Sequence, residues 1–160
     1  MGPDPDSFAP PPPLVLVVFG ASGDLTARKL LPALAGLAEQ GALPDAFCVV
    51  GVARTPWSDD EFRTAVVDAV TTGGASATRF VEMAKRFRYV AGEYDDVGTF
   101  ARLAEVLAEC DRDCATAGNR VFYLATVPDA FAMVATSLAA LGCNHPGPGG
   151  TFARLVVEKP

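Results

Sequence analysis

The sequence has one histidine, no two cysteines in a Cys-x-x-Cys spacing, and 13 Lys and Arg against 19 Asp and Glu. Each shortage excludes something. A formal net charge of −6 argues against nonspecific nucleic-acid binding, which relies on Lys and Arg to neutralise phosphates. It leaves room for one small anion held by a local cluster. No apolar run approaches the roughly 20 residues of a membrane span. Residues 1–13 have neither the basic region nor the apolar core of a secretory signal, so the expected location is cytoplasmic. The four cysteines, Cys48, Cys110, Cys114 and Cys143, match no zinc motif, and no metal site is expected. Cys110 and Cys114 are four apart in a helical pattern, which puts them on one face. A metal or redox pair is one reading of them, and partly buried reduced thiols the plainer one. The single histidine, His145, lies in a Gly/Pro-rich loop beside two prolines, a poor platform for proton transfer.

A leader at 1–13, rich in Pro, reads as disordered or extended. The next 147 residues, 14–160, are long enough to bury one core. Leu14 to Phe19 is apolar at every position, as in a parallel strand covered on both faces. From Leu25 to Gln40, Leu30, Leu34, Leu37 and Ala38 recur at helical spacing. Pro32 inside that pattern predicts a break or kink, and Gly41 a C-terminal stop. Further strands are predicted at about 46–53, 87–91, 121–126 and 152–157. Helices fall between them, one opened by Ser58 and Glu61 in a capping box. Strands alternating with helices at this spacing predict an α/β fold, a doubly wound parallel sheet of Rossmann type in the order 3-2-1-4-5.

The turn after the first strand, Gly20-Ala21-Ser22-Gly23-Asp24, sits where such a sheet binds ligands. Backbone N–H groups and a helix N-terminus there suit a phosphate. Gly20 supplies a tight turn, Gly23 lets the backbone approach a pyrophosphate, and Ser22 offers a hydroxyl. Asp24 is better suited to capping the next helix than to touching an anion. At the end of the second strand stands Arg54, where an NAD site usually places a carboxylate. A guanidinium there favours a 2′-phosphate and therefore NADP, although a solvated loop arginine is the plainer alternative. Arg28 and Lys29 are candidates for extra positive potential. Lys159, at the end of the last strand, either faces an anion at the binding edge or solubilises a strand end.

Together GASGDL at 20–25, RKLLPAL at 28–34, GVAR at 51–54, FYLATVP at 122–128 and RLVVEKP at 154–160 resemble the N-terminal nucleotide-binding domain of the glucose-6-phosphate dehydrogenase family. The resemblance runs across residues 14–160. It implies NADP held by Gly20, Ala21, Ser22, Gly23, Asp24, Leu25, Thr26 and Ala27, with Arg54 on the 2′-phosphate. Tyr123 and Lys159 match positions that line the cofactor pocket, and Lys159 would also reach a sugar phosphate. Glu93 and Tyr94 fall on the adenosine side, and the Lys159–Pro160 bond matches one that is often cis. Val127 stands where most members have a proline.

The family's catalytic segment, of the form RIDHYLGK, follows beyond the EKP motif, so no catalytic residue is expected within these 160 residues. The isolated chain is therefore expected to bind NADP weakly and not to oxidise glucose 6-phosphate. It would be a fragment or trimmed form of such an enzyme. The alternatives are a stand-alone nucleotide-binding module, with or without a partner chain that completes it, and a degenerate product with an exposed sheet face.

Overall fold

In a computed structural model of the chain, residues 11–143, 145–147 and 149–158 are described. Most of the predicted leader, together with Lys159 and the Lys159–Pro160 bond, lies outside the described residues. The apolar run Leu14–Phe19 forms strand β1, buried along its whole length. It lies at the centre of a five-stranded parallel sheet. Strand β2 (Phe47–Ala53) flanks it on one side and β4 (Arg120–Leu124) on the other. Outside these run β3 (Arg88–Ala91) and β5 (Ala153–Val157), giving the order 3-2-1-4-5. That is the order expected from the spacing of strands and helices.

The first crossover departs from expectation in one respect. A π-helical turn, Thr26–Leu30, runs directly into α1 (Leu31–Glu39) with no break. Pro32 lies in the first turn of α1. The preceding turn is widened, with the Leu31 N–H donating to the Thr26 carbonyl five residues back. A π turn thus absorbs the proline that a regular i to i−4 ladder could not. Gly41 ends α1 as expected. It takes φ +71°, its N–H donates to the Ala38 carbonyl at 3.0 Å, and the Ala42 N–H donates to Leu37 at 2.9 Å. This is a Schellman closure, which favours glycine at the left-handed position.

Helix α2 (Asp59–Thr71) opens with the predicted capping box. Ser58 Oγ accepts from the Glu61 N–H at 3.1 Å, and the Ser58 N–H donates to the Glu61 carboxylate at 2.7 Å. Helix α3 (Thr78–Ala84) and the long α4 (Val97–Cys114) follow, and then α5 (Phe131–Ala140). Packing across the sheet is aromatic. Phe19 stacks with Phe100 and meets Tyr94 edge-on. Phe87 contacts both Phe47 and Phe80.

At the N-terminal edge of the sheet, one carboxylate organises the connection from α4 to β4. Asp111 accepts from the Thr116 hydroxyl, the Gly118 N–H and, at 2.8 and 2.6 Å, both terminal nitrogens of Arg120. These bonds hold its carboxyl below the usual range against the opposing effect of burial. The outer strand β5 differs from the rest. Leu155, Val156 and Val157 are exposed, so this edge is not covered on both faces as β1 is.

Candidate functional site

The chain runs outward from β1 through β2 to β3 and then crosses back over the sheet to β4 on the other side of β1. This reversal of direction opens a crevice at the C-terminal ends of the strands. The crevice here is a cleft of about 1150 Å³. Its floor is the turn after β1, represented by Gly20, Ser22, Gly23, Asp24 and Leu25. One wall is Ala53, Arg54 and Thr55 after β2 with Glu93, Tyr94 and Asp95 after β3. The other is the segment 125–130 after β4, with Met133.

Gly20 is demanded by geometry. Its φ is +87°, and a Cβ there would stand 2.2 Å from the Ala125 carbonyl oxygen. The glycine therefore lets β1 and β4 converge at the base of the cleft. Gly23 meets only the Gly20 carbonyl, at 3.3 Å from a built Cβ, and is exposed toward the cleft. Around the turn, Gly20 and Ala21 donate to the Val52 carbonyl and Gly23 donates to Gly20. Among the described residues no backbone carbonyl accepts from the N–H of Ser22, Asp24 or Leu25. Donors with no protein partner at the start of a helical run form a fitting cradle for phosphate oxygens.

Not every residue of the turn faces the cleft. Ala21 is buried and packs on Gly51, where a Cβ would lie 2.8 Å from its own. Thr26 is fully buried, its hydroxyl donating to the Gly20 carbonyl at 2.9 Å. These two shape the turn from behind. Ala27 is exposed but outside the cleft lining. Asp24 lines the cleft, and no side-chain hydrogen bond caps the helical run that follows. Its carboxylate sits within the first helical turn rather than before it, so the expected cap is not formed. Arg28 and Lys29 are exposed and outside the lining.

Arg54 is exposed at the cleft wall and, among the described residues that line it, is the only cation. No described carboxylate pairs with it. Beside it the Thr55 hydroxyl lies 2.8 Å from Ser22 Oγ, tying the wall to the floor. Tyr94 is half-buried, its hydroxyl donating to the Val52 carbonyl at 3.4 Å. Burial pushes its pKa up, against opposing effects from the Gly20 backbone and Arg54. Glu93 is exposed and lines the same wall.

Tyr123 is absent from the lining. Its hydroxyl donates to the Glu158 carboxylate beyond β5, and burial together with that carboxylate pushes it up to about 12. His145 is exposed and also outside the cleft. Among the described residues no three His, Cys, Asp or Glu side chains group to hold a metal. No described helix is long and apolar enough to cross a membrane. Sequence reasoning missed Thr55 and the residues of segment 125–130 as lining. Nothing local marks Thr55, whereas the run at 122–128 is visible as a motif in which the resemblance singles out Tyr123 for the pocket rather than the residues from 125 onward that line it.

Residues 17–160 match the family model described as "Glucose-6-phosphate dehydrogenase, NAD binding domain". The chain belongs to this family. It is 40% identical over 151 residues to glucose-6-phosphate 1-dehydrogenase 2 of Mycobacterium tuberculosis, covering 92% of the chain and 29% of the relative. It is 39% identical over 152 residues to glucose-6-phosphate 1-dehydrogenase of Treponema pallidum, with the same two shares. The crystal structure of the Mycobacterium avium enzyme superposes with a TM-score of 0.74 at 27% identity, covering 93% of this chain and 30% of that one. A glucose-6-phosphate dehydrogenase in complex with its substrate glucose-6-phosphate gives 0.78 at 28% identity, with shares of 96% and 32%. The chain thus spans less than a third of the length of these relatives. As the nucleotide-binding domain of the family, it places the cleft where the fold is built to take a dinucleotide.

Proposed function

We propose that this domain binds NADP in the cleft at the C-terminal edge of the sheet and so supplies the hydride acceptor of a glucose-6-phosphate dehydrogenase. The observation that carries the choice of NADP is Arg54. It stands exposed and unpaired among the described residues, at the end of β2, where a carboxylate would instead favour an unphosphorylated ribose. Asp24, Glu93, Asp95 and Asp129 also line the cleft, so phosphate binding rests on Arg54 and on the free N–H groups of the turn. In this reading Ser22 and Thr55 orient the same end of the cofactor through their shared hydroxyl contact. Glu93 and Tyr94 border the adenosine side. Lys159 is the residue proposed to reach both cofactor and sugar phosphate.

When bound, NADP would accept the hydride released as a sugar hydroxyl is oxidised. The chain's own part is to hold that acceptor in place. No histidine lines the cleft, and in this reading the base for the sugar hydroxyl is not one of its described side chains. Calorimetric titration of the 160-residue chain tests the reading. NADP is expected to bind more tightly than NAD, and Arg54→Ala to weaken NADP by about 10- to 100-fold, the loss of one charge-assisted bidentate contact. NAD should be little affected. Equal affinity for the two nucleotides, or equal losses in the variant, would overturn the assignment of Arg54. Reduction of NADP by glucose 6-phosphate with this chain alone would show that a base lies within these residues after all.

A further inference from the structure

The two outer strands of the sheet end differently. Along β3 the outward Tyr89 N–H donates to the Asp59 carboxylate at 2.7 Å, and Arg88 is held by Asp59 and Glu109. The protein closes that edge itself. Strand β5 pairs with β4 on one side, and among the described residues no strand pairs with its other side. The Phe152 carbonyl accepts from the Arg120 N–H at 2.9 Å, so residues 152, 154 and 156 direct their backbone groups inward to β4. Strand alternation then turns the N–H and C=O of Ala153, Leu155 and Val157 outward. The strand contains no proline or glycine, and its register with β4 is unbroken. It therefore has none of the breaks or bulges that blunt a solvent edge. Leu155, Val156 and Val157 are 47%, 39% and 46% exposed, which adds apolar side chains to an open row of backbone donors and acceptors.

We propose that this edge is a homodimer interface, in which the β5 strands of two copies pair antiparallel about a two-fold axis at Val156. In such an isologous contact Leu155 faces the partner's Val157, Val156 faces the partner's Val156, and Arg154 faces the partner's Glu158. The two sheets become one, and neither copy keeps an open edge on this side.

The charges select this register. Arg154 and Glu158 lie on one face of the strand, two residues to either side of Val156. Within a single chain the Arg154 guanidinium sits 4.6 Å from the centre of the Phe152 ring and, among the described residues, pairs with no carboxylate. Glu158 accepts from the Tyr123 hydroxyl and has no described cation. Pairing about Val156 brings these opposite charges together twice. The backbone fits the same register. Leu155 and the partner's Val157 form a hydrogen-bonded pair, and Arg154 and the partner's Glu158 a non-hydrogen-bonded one, where side chains come closest. An axis moved to Leu155 would keep the hydrogen bonds but set Arg154 opposite the partner's Val156. The contact is short, so its dissociation constant is expected on the order of 10–100 μM, far from the nanomolar values of larger interfaces.

Sedimentation velocity of the 160-residue chain tests this, and a reversible monomer–dimer equilibrium is expected between about 5 and about 500 μM. Val156→Lys sets two like charges across the axis and should leave the chain monomeric throughout. Arg154→Glu and Glu158→Arg should each weaken the dimer about 10-fold or more. The double variant should return to within about 3-fold of the parent, since the exchange restores both opposite-charge pairs. A chain that is monomeric at every concentration overturns the proposal and gives the edge to a different occupant. So does a dimer that Val156→Lys leaves intact, an assembly that continues past the dimer, or a double variant no tighter than the single ones. Circular dichroism confirms that each variant is folded, and the parent with the double variant decides the matter even if a single variant does not fold.

Discussion

At the C-terminal ends of β1, β2 and β3 the chain leaves Arg54, Glu93 and the N–H groups of the first turn open to solvent. At the N-terminal ends, Asp111 pairs with Arg120 and Arg88 with its two carboxylates, and the thiols of Cys48, Cys110 and Cys114 are buried. The two edges of one sheet thus have different uses for polar groups. One edge holds donors with no protein partner, which a ligand can satisfy. The other has its hydrogen-bonding capacity taken up by the protein, where it ties helix ends to strand starts. Stability is therefore concentrated at the edge away from the cleft, with Gly20 the exception.

Gly20 offers the strongest way to break that division. Gly20→Ala is expected to cost about 3 kcal/mol or more, because a left-handed φ and a clash with backbone add together. Urea denaturation measures it, and a loss under ~1 kcal/mol would show that β1 and β4 can separate freely at the cleft. At the opposite edge, Asp111→Ala is expected to cost about 3 kcal/mol by leaving Arg120 half-buried without its partner. The same carboxylate carries a pH signature. Its folded pKa lies below the unfolded value, so its contribution is full above the unfolded pKa of about 4 and fades as pH falls below that. A parent chain that loses stability in acid, beside an Asp111→Asn chain with a flatter profile, is the expected pair of denaturation curves.

Smaller effects sharpen the contrast. Ser58→Ala should cost about 1 kcal/mol through the lost cap of α2, an exposed site at neither edge. Arg54→Ala should change stability by less than about 0.5 kcal/mol, since the side chain pairs with nothing in the described protein. A large loss of melting temperature in that variant would mean Arg54 belongs to the fold and not to a ligand.

Much of this was legible before any coordinates. The all-apolar run at 14–19 could only be a strand covered on both faces. The Ser58 and Glu61 pair gave the start of α2, and Gly41 the end of α1. Pro32 predicts a break or kink because local rules treat proline as incompatible with a regular helix. The π turn that accommodates it relies on Thr26, which is buried and hydrogen-bonded behind the first turn. Asp24 looked like a cap by type and position, but the helical run begins at that residue.

The cleft was legible in part. Gly20, Ser22, Gly23 and Arg54 were chosen for their chemistry and their place beside predicted strands, and all four line it. Of the residues carried by resemblance, Asp24, Leu25, Glu93 and Tyr94 line it as well, whereas Ala21, Thr26, Ala27 and Tyr123 do not. A motif records which residues occur together, not which way each side chain points. In a turn that reverses direction within a few residues, neighbours necessarily face opposite sides.

By itself the sequence determined the order of strands and helices, the parallel sheet and the position of its ligand-binding edge. Those follow from periodicity and from the steric rules of chain reversal, which are local. Only the tertiary structure decided that Gly20 is held by Ala125, that Thr55 joins Ser22, and that Cys48 meets the Cys110 thiol 62 residues away. Such contacts depend on the register between distant strands and on how closely helices pack against them, and no window of sequence contains both partners.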